Sequence, residues 1–137
     1  MLSKHTTRLL DGASAKSDEI YSEGGLIYLY TFGYKRAHSF IDYEILKKTT
    51  ISKKFDRDEI EKLKNFFTCA LEHPYPEKVY NSINIFTDEF LTMLYKDFQG
   101  MYSYMSKYEK DEVGQIVTMT FIKDNNFHSL ELFWSID

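Results

Sequence analysis

The sequence predicts an α+β fold in which two main helices pack on a largely antiparallel sheet, in the order β-β-α-α-β-β. Three observations predict it: strand-like apolar segments within residues 26–48, helical periodicity between residues 55 and 108, and two alternating segments within residues 114–137. The length of 137 residues is typical of one domain. We therefore expect a single domain over residues 1–137, with a looser N-terminal arm of about 20 residues that is diluted by Gly, Ser, Thr and Ala.

Two strands are expected first. The segment LIYLYTFGY, residues 26–34, follows a double glycine and is short and aromatic. The segment HSFIDYEILKK, residues 38–48, alternates between apolar and polar positions. These segments are interpreted as a hairpin or as neighbouring strands.

The first predicted helix is FDRDEIEKLKNFFTCALEHP, residues 55–74. Asp56 with Glu59 three residues later has the spacing of a capping box, and Pro74 ends the helical pattern. After it, EKVYNSINIF, residues 77–86, is interpreted as holding a short strand.

The second predicted helix lies within residues 87–112, TDEFLTMLYKDFQGMYSYMSKYEKDE, with Thr87 as its cap. Most of its aromatic residues and methionines fall in an arc of roughly 140° at 100° per residue, which is the width of a core-facing stripe. Met93 and Tyr104 fall outside that arc. Three acids, Glu109, Asp111 and Glu112, crowd the predicted C-terminal end, where negative charge opposes the helix dipole.

The C-terminal segment, residues 114–137, predicts two strands joined at residues 123–126, where two Asn residues tolerate left-handed backbone. One face of this hairpin is apolar and expected to be buried: Val117, Met119, Phe121, Leu130, Leu132, Trp134 and Ile136. The other face carries polar residues together with Ile122 and Phe133. Phe133 is therefore an apolar side chain off the predicted core face.

Composition and charge exclude several classes of function. The net charge is −4, and residues 55–137 carry eight basic residues against fifteen acids. Such an acidic body argues against a grip on nucleic acid and suits a basic protein partner. No apolar run is long enough for a membrane span, and the N-terminus lacks the apolar region of a secretory signal, so no membrane contact and a cytoplasmic location are expected.

Two groups of residues could in principle form a catalytic or metal site, and neither group is complete. Cys69 and His73 stand four residues apart on the first predicted helix, but a nucleophilic site also needs an orienting group and oxyanion donors, and no recognisable loop supplies them. His38, Asp42 and Glu44 share one face of a predicted strand without a second cluster of ligands, which favours a solvated face over a metal site. We therefore expect no enzyme activity, no metal and no cofactor.

Small size, single-domain build, net acidity and abundant Tyr and Phe (11 of each) together resemble the small cytoplasmic immunity proteins that bacteria pair with secreted toxins. The acidic helix start DRDEIE and the closing segment LELFWSID are similar to such sequences in character. The resemblance implies a non-enzymatic inhibitor that binds one toxin domain, often a basic nuclease.

The sequence thus predicts a protein-binding inhibitor whose apolar anchors and steering acids are residues off the core faces or at the crowded helix end. These candidates are Met93, Tyr104, Glu109, Asp111, Glu112 and Phe133. The alternative is a self-associating structural or regulatory module, a homodimer in which the C-terminal strand lies at a sheet edge and pairs with another chain.

Overall fold

The computed structural model describes residues 2–21, 23–34, 57–72, 79–98, 103–110, 113–123 and 126–136. Within them lie three helices and four strands, in the order α1 (Lys4–Ile20), β1 (Gly25–Tyr34), α2 (Arg57–Leu71), α3 (Asn81–Asp97), β2 (Ser103–Lys110), β3 (Gly114–Lys123) and β4 (Asn126–Ser135). The strands pair antiparallel in the sheet order β1-β4-β3-β2. The fold is α+β as predicted. The predicted order β-β-α-α-β-β is wrong, because a helix precedes the first strand and three described strands follow the helices.

The N-terminal residues expected to form a looser arm instead form α1. Ser3 caps this helix, since its hydroxyl accepts a hydrogen bond from the Thr6 N–H at 3.2 Å. The buried stripe of α1 is Thr6, Leu10, Ala13 and Ser17, at spacings of three and four residues. Only Leu10 among them is large and apolar, so the stripe is nearly invisible to a search for apolar periodicity.

Polar contacts join α1 to β1, to the end of α2 and to α3. The Ser14 hydroxyl donates to the Leu26 carbonyl of β1 at 2.7 Å, and Lys16 Nζ lies 2.7 Å from Glu72 Oε1, just after α2. On the α3 side, Asp97 Oδ2 accepts hydrogen bonds from both the N–H of Ser3 and the hydroxyl of Thr6. The N-terminal helix is thus an integral layer of the fold.

The predicted first helix is confirmed as α2, whose described bounds are Arg57–Leu71. The capping residue expected for it, Asp56, and the predicted stop at Pro74 lie outside the described residues. Residues 81–86, which belong to the segment interpreted as holding a short strand, form the first turns of α3. Ile83 begins a buried stripe there that continues through Thr87, Phe90, Leu91 and Leu94. Thr87, the predicted cap, is therefore a buried residue in the middle of that helix.

The second predicted helix extends too far. It ends at Asp97, and Ser103–Lys110 forms β2 instead. Residues i and i+4 share a face in a helix and in a strand alike, so the spacing of Tyr104 and Tyr108 fits both structures. Gly100 stands three positions after the last helical residue in the sequence, and a glycine at such a place indicates a helix end.

The C-terminal hairpin is confirmed as β3 and β4, with Lys123 paired to Asn126 at its end. Its predicted core face is buried from Val117 to Phe121 and from Leu130 to Trp134. Ser135, one of the polar residues that the alternation assigns to the other face, is buried. In the sheet β4 lies between β1 and β3, so the expectation that the C-terminal strand forms an edge is wrong.

The core lies between the helices and one face of this sheet. Phe67 meets Phe90 edge to face, with ring centroids 5.5 Å apart, and Phe98 stacks on Phe121 at 4.3 Å. Tyr21, just after α1, stacks on Trp134 at 5.6 Å. Aromatic contacts therefore join the helices to one another and to the sheet.

Gly25 starts β1 in a conformation that favours glycine. Its φ is +109°, and a β-carbon there would lie 2.7 Å from Asp18 Oδ1. The close return of the chain from α1 into β1 therefore depends on this residue. The predicted strand at residues 38–48 lies outside the described residues.

Candidate functional site

The face of the sheet turned away from the helices is the candidate site, and we call it the outer face. Strand alternation places every second residue of β1, β3 and β4 on it. Its members with described side chains include Ile27, Leu29, Thr31, Ile116, Thr118, Thr120, Ser129, Glu131 and Phe133.

Large apolar side chains on the outer face are exposed. Ile27 retains 62% of its accessible surface and Leu29 retains 58%. In register, Ile27 pairs with Phe133 of β4, which pairs with Ile116 of β3. At about 4.8 Å between strands, this row runs about 10 Å across the sheet. The row joins the exposed Ile27 to the partly buried Phe133 and Ile116, and a contiguous apolar patch with exposed members is typical of interaction sites.

One acid lies within this apolar surface. Glu131 is exposed and pairs in register with Leu29 on one side and Thr118 on the other. Within the described part of the chain its carboxylate has no ion-pair or hydrogen-bond partner. The outer face therefore presents an apolar anchor surface with an available negative charge, which suits a partner that offers apolar and basic groups together.

The structure brings Phe133 to this face, where the alternation of the C-terminal segment predicted it. Phe133 is partly buried and lies between Ile27 and Ile116. Met93, the predicted anchor on the second helix, is partly buried on α3 and is not among the outer-face residues. These two candidates therefore do not form one surface.

The remaining site residues were predicted from a helix that ends earlier than expected. Tyr104 and Glu109 belong to β2, where they pair with Phe121 and Ile116, so the helical reasons for choosing them do not hold. Asp111 and Glu112 lie outside the described residues. Glu109 pairs in register with Ile116, which belongs to the outer-face row. Among the predicted acids, Glu109 is therefore connected to the site by strand pairing.

Cys69 is placed where a nucleophile is disfavoured. The thiol is buried in the core, and burial raises its pKa from 9.0 to about 11, although the charge of Lys110 and a backbone hydrogen bond lower it. A neutral thiol at physiological pH is a small apolar group rather than a nucleophile. Its predicted companion His73, and the trio His38, Asp42 and Glu44, lie outside the described residues.

A polar pair absent from the sequence prediction links β1 to β4. The Tyr30 hydroxyl lies 2.8 Å from His128 Nδ1, and the two rings stack with centroids 6.2 Å apart. Burial, followed by the charge of Asp97, raises the pKa of Tyr30, so its phenol stays protonated at neutral pH. Because His128 is itself buried against Phe98, the pair stabilises the contact between β1 and β4.

Across the described ranges, no three His, Cys, Asp or Glu residues come close enough together to hold a metal ion. Within the same ranges, no helix has the length and apolar character needed to cross a membrane.

No family model, curated protein or solved structure matches this chain.

Two central members of the outer face, Ile27 and Leu29, were missed by the sequence prediction. Segment 26–34 is apolar or aromatic at nearly every position, so its alternation does not distinguish the two faces of the strand. The register with β4 makes the distinction, because Leu132 is buried and its neighbour Phe133 lies on the outer face.

Proposed function

We propose that this chain is a non-enzymatic protein-binding inhibitor of the immunity type, and that its outer face binds a basic protein. The observation that carries the proposal is the exposed apolar surface of Ile27 and Leu29 beside the available carboxylate of Glu131. Apolar anchors supply affinity, while charges steer encounter and fix register. The net charge of −4 supports a basic partner.

Affinity capture of the tagged chain from its source cells, with washes at low and high salt, tests this function. We expect one basic protein to be retained in stoichiometric amount, and the catalytic or toxic activity of that protein to fall when the purified chain is added. Retention without any effect on the captured protein's activity would contradict inhibition. Retention of acidic proteins alone would contradict the charge argument.

The chain supplies a matched pair of variants for the surface. Ile27→Lys places a cation on the outer face, and Ile85→Lys places one on α3, where Ile85 is 69% exposed. We expect Ile27→Lys to lose the captured protein and Ile85→Lys to keep it. Equal retention by both variants would exclude the outer face as the binding surface.

Self-association is the second candidate, and the place of β1 in the sheet favours it. Among the described strands β1 pairs with β4 on one side only, and it carries the exposed Ile27 and Leu29. An edge strand with exposed apolar residues can pair with a second copy. A mass in sedimentation that rises with protein concentration, and that Ile27→Lys returns to one chain, would support this candidate over the inhibitor.

A further inference from the structure

A groove between the three helices lies in the layer opposite to the outer face. Its volume is about 330 Å³, at the lower end of the range for small-molecule sites. One wall is α1, and the other combines the end of α2 with the first turns of α3. Its lining includes Arg8, Gly12, Lys16, Glu72, Ile83 and Phe86.

The two ends of this groove differ in charge. At one end Glu72 Oε1 accepts from Lys16 at 2.7 Å and from the Ser82 hydroxyl at 3.2 Å, so its negative charge is matched there. Arg8 lies two helical turns, about 12 Å, from Lys16 along α1. Within the described chain Arg8 has no ion-pair or hydrogen-bond partner. The groove therefore carries one available positive charge, at the Arg8 end.

Gly12, between these two cations, has no structural reason to be glycine. It lies inside α1 and is not among the described glycines with positive φ, and a β-carbon there would meet no atom within 4 Å. Alanine would favour the helix more strongly. The missing side chain leaves the groove open beside its apolar wall, which includes Ala13, Ile83 and Phe86.

We propose that this groove binds a small apolar monocarboxylate, with its carboxylate on Arg8 and its apolar body along Gly12 toward Phe86. A guanidinium matches a carboxylate with two parallel hydrogen bonds. A dianion such as a phosphate monoester suits the groove less well, because Lys16 is already paired with Glu72 and Arg8 alone among the described lining cations is available.

Titration of the ¹⁵N-labelled full chain with hexanoate, 1-hexanol and hexyl phosphate tests the proposal. We expect saturable shifts of the Gly12 and Ile83 amide signals, with hexanoate bound about tenfold more tightly than hexanol, since a charge-assisted pair is lost with the alcohol. Absence of saturable shifts, or equal affinity for hexanoate and hexanol, would overturn the site. Tighter binding of hexyl phosphate would overturn the assignment to a monocarboxylate.

Three variants locate the binding. Arg8→Gln is expected to reduce hexanoate affinity to that of hexanol, while the exposed Arg57 of α2, changed to Gln, serves as the charge-matched control and leaves it unchanged. Gly12→Leu is expected to abolish binding of both ligands without lowering the melting temperature. Hexanoate affinity that is unchanged by Arg8→Gln, or binding of either ligand that survives Gly12→Leu, would refute the groove as the site.

Discussion

Asp97 joins the C-terminal end of α3 to the N-terminal end of α1, and its replacement by alanine should cost about 2.5 kcal/mol of unfolding free energy. Its carboxylate accepts from the Ser3 N–H at 3.0 Å and the Thr6 hydroxyl at 2.6 Å. Hydrogen bonds to charged groups contribute about 1.5–3 kcal/mol each, and partial exposure favours the low end of that range. Removing an acid from a helix C-terminus returns about 0.5 kcal/mol. The lost hydrogen bonds therefore outweigh the relief at the helix end.

Equilibrium unfolding in urea measures this cost, and amide hydrogen exchange locates it. In the Asp97→Ala variant we expect faster exchange along α1 (Lys4–Ile20) than in β3 or β4. Asp88→Ala is the matched control, because Asp88 is an exposed acid on the same helix, and it should change stability by less than about 0.5 kcal/mol. A cost below about 0.5 kcal/mol for Asp97→Ala, with unchanged exchange in α1, would refute the role given to this carboxylate.

Three further predictions concern the core. The pKa of the Cys69 thiol is raised to about 11, so the stability that this thiol contributes should be complete below pH 9 and lost as pH rises toward 11. Urea unfolding at several pH values should show that the Cys69→Ala variant lacks this alkaline loss of stability. An alkaline slope equal to that of the unsubstituted chain would contradict the prediction. Thr87 is fully buried, and its hydroxyl has no hydrogen-bond partner within the described chain. Thr87→Val removes this unpaired hydroxyl and should raise the free energy of unfolding by about 1 kcal/mol. A lower free energy of unfolding in the variant would contradict the prediction. Leu132→Ala should lower the free energy of unfolding by about 2–5 kcal/mol and Leu29→Ala by less than about 1 kcal/mol, because Leu132 lies on the buried face of the sheet and Leu29 on the exposed face. Similar losses for the two variants in thermal unfolding would contradict this assignment of faces.

The parts of the fold that could be predicted are those in which large apolar residues mark one period. The C-terminal hairpin alternates cleanly from Val117 to Phe121, and α2 carries Leu63 and Phe67 at helical spacing. By contrast α1 buries Thr6, Ala13 and Ser17, whose small size and polarity conceal the stripe. Apolar periodicity therefore failed where the buried face consists of small or polar residues.

The candidate site was predictable to a similar extent. Phe133 stands out because its neighbours on β4 alternate, whereas Ile27 and Leu29 lie in a strand that is apolar on both faces. The spacing of Tyr104 and Tyr108 fits a helix and a strand equally well, so it could not show that Tyr104 lies in a strand. Pairing between strands distant in sequence resolves both cases, and pairing is not encoded in the periodicity of a single segment.

The affinity of the captured partner for two isoleucine variants tests the outer face most directly. Ile27→Lys and Ile85→Lys introduce the same charge at similarly exposed positions, 62% and 69%, on opposite layers of the fold. We predict a rise in Kd of about thirtyfold for Ile27→Lys, the effect of losing a binding hot spot of about 2 kcal/mol, and a change of less than about threefold for Ile85→Lys. Equal values of Kd for the two variants, or a larger loss for Ile85→Lys, would contradict binding through the outer face.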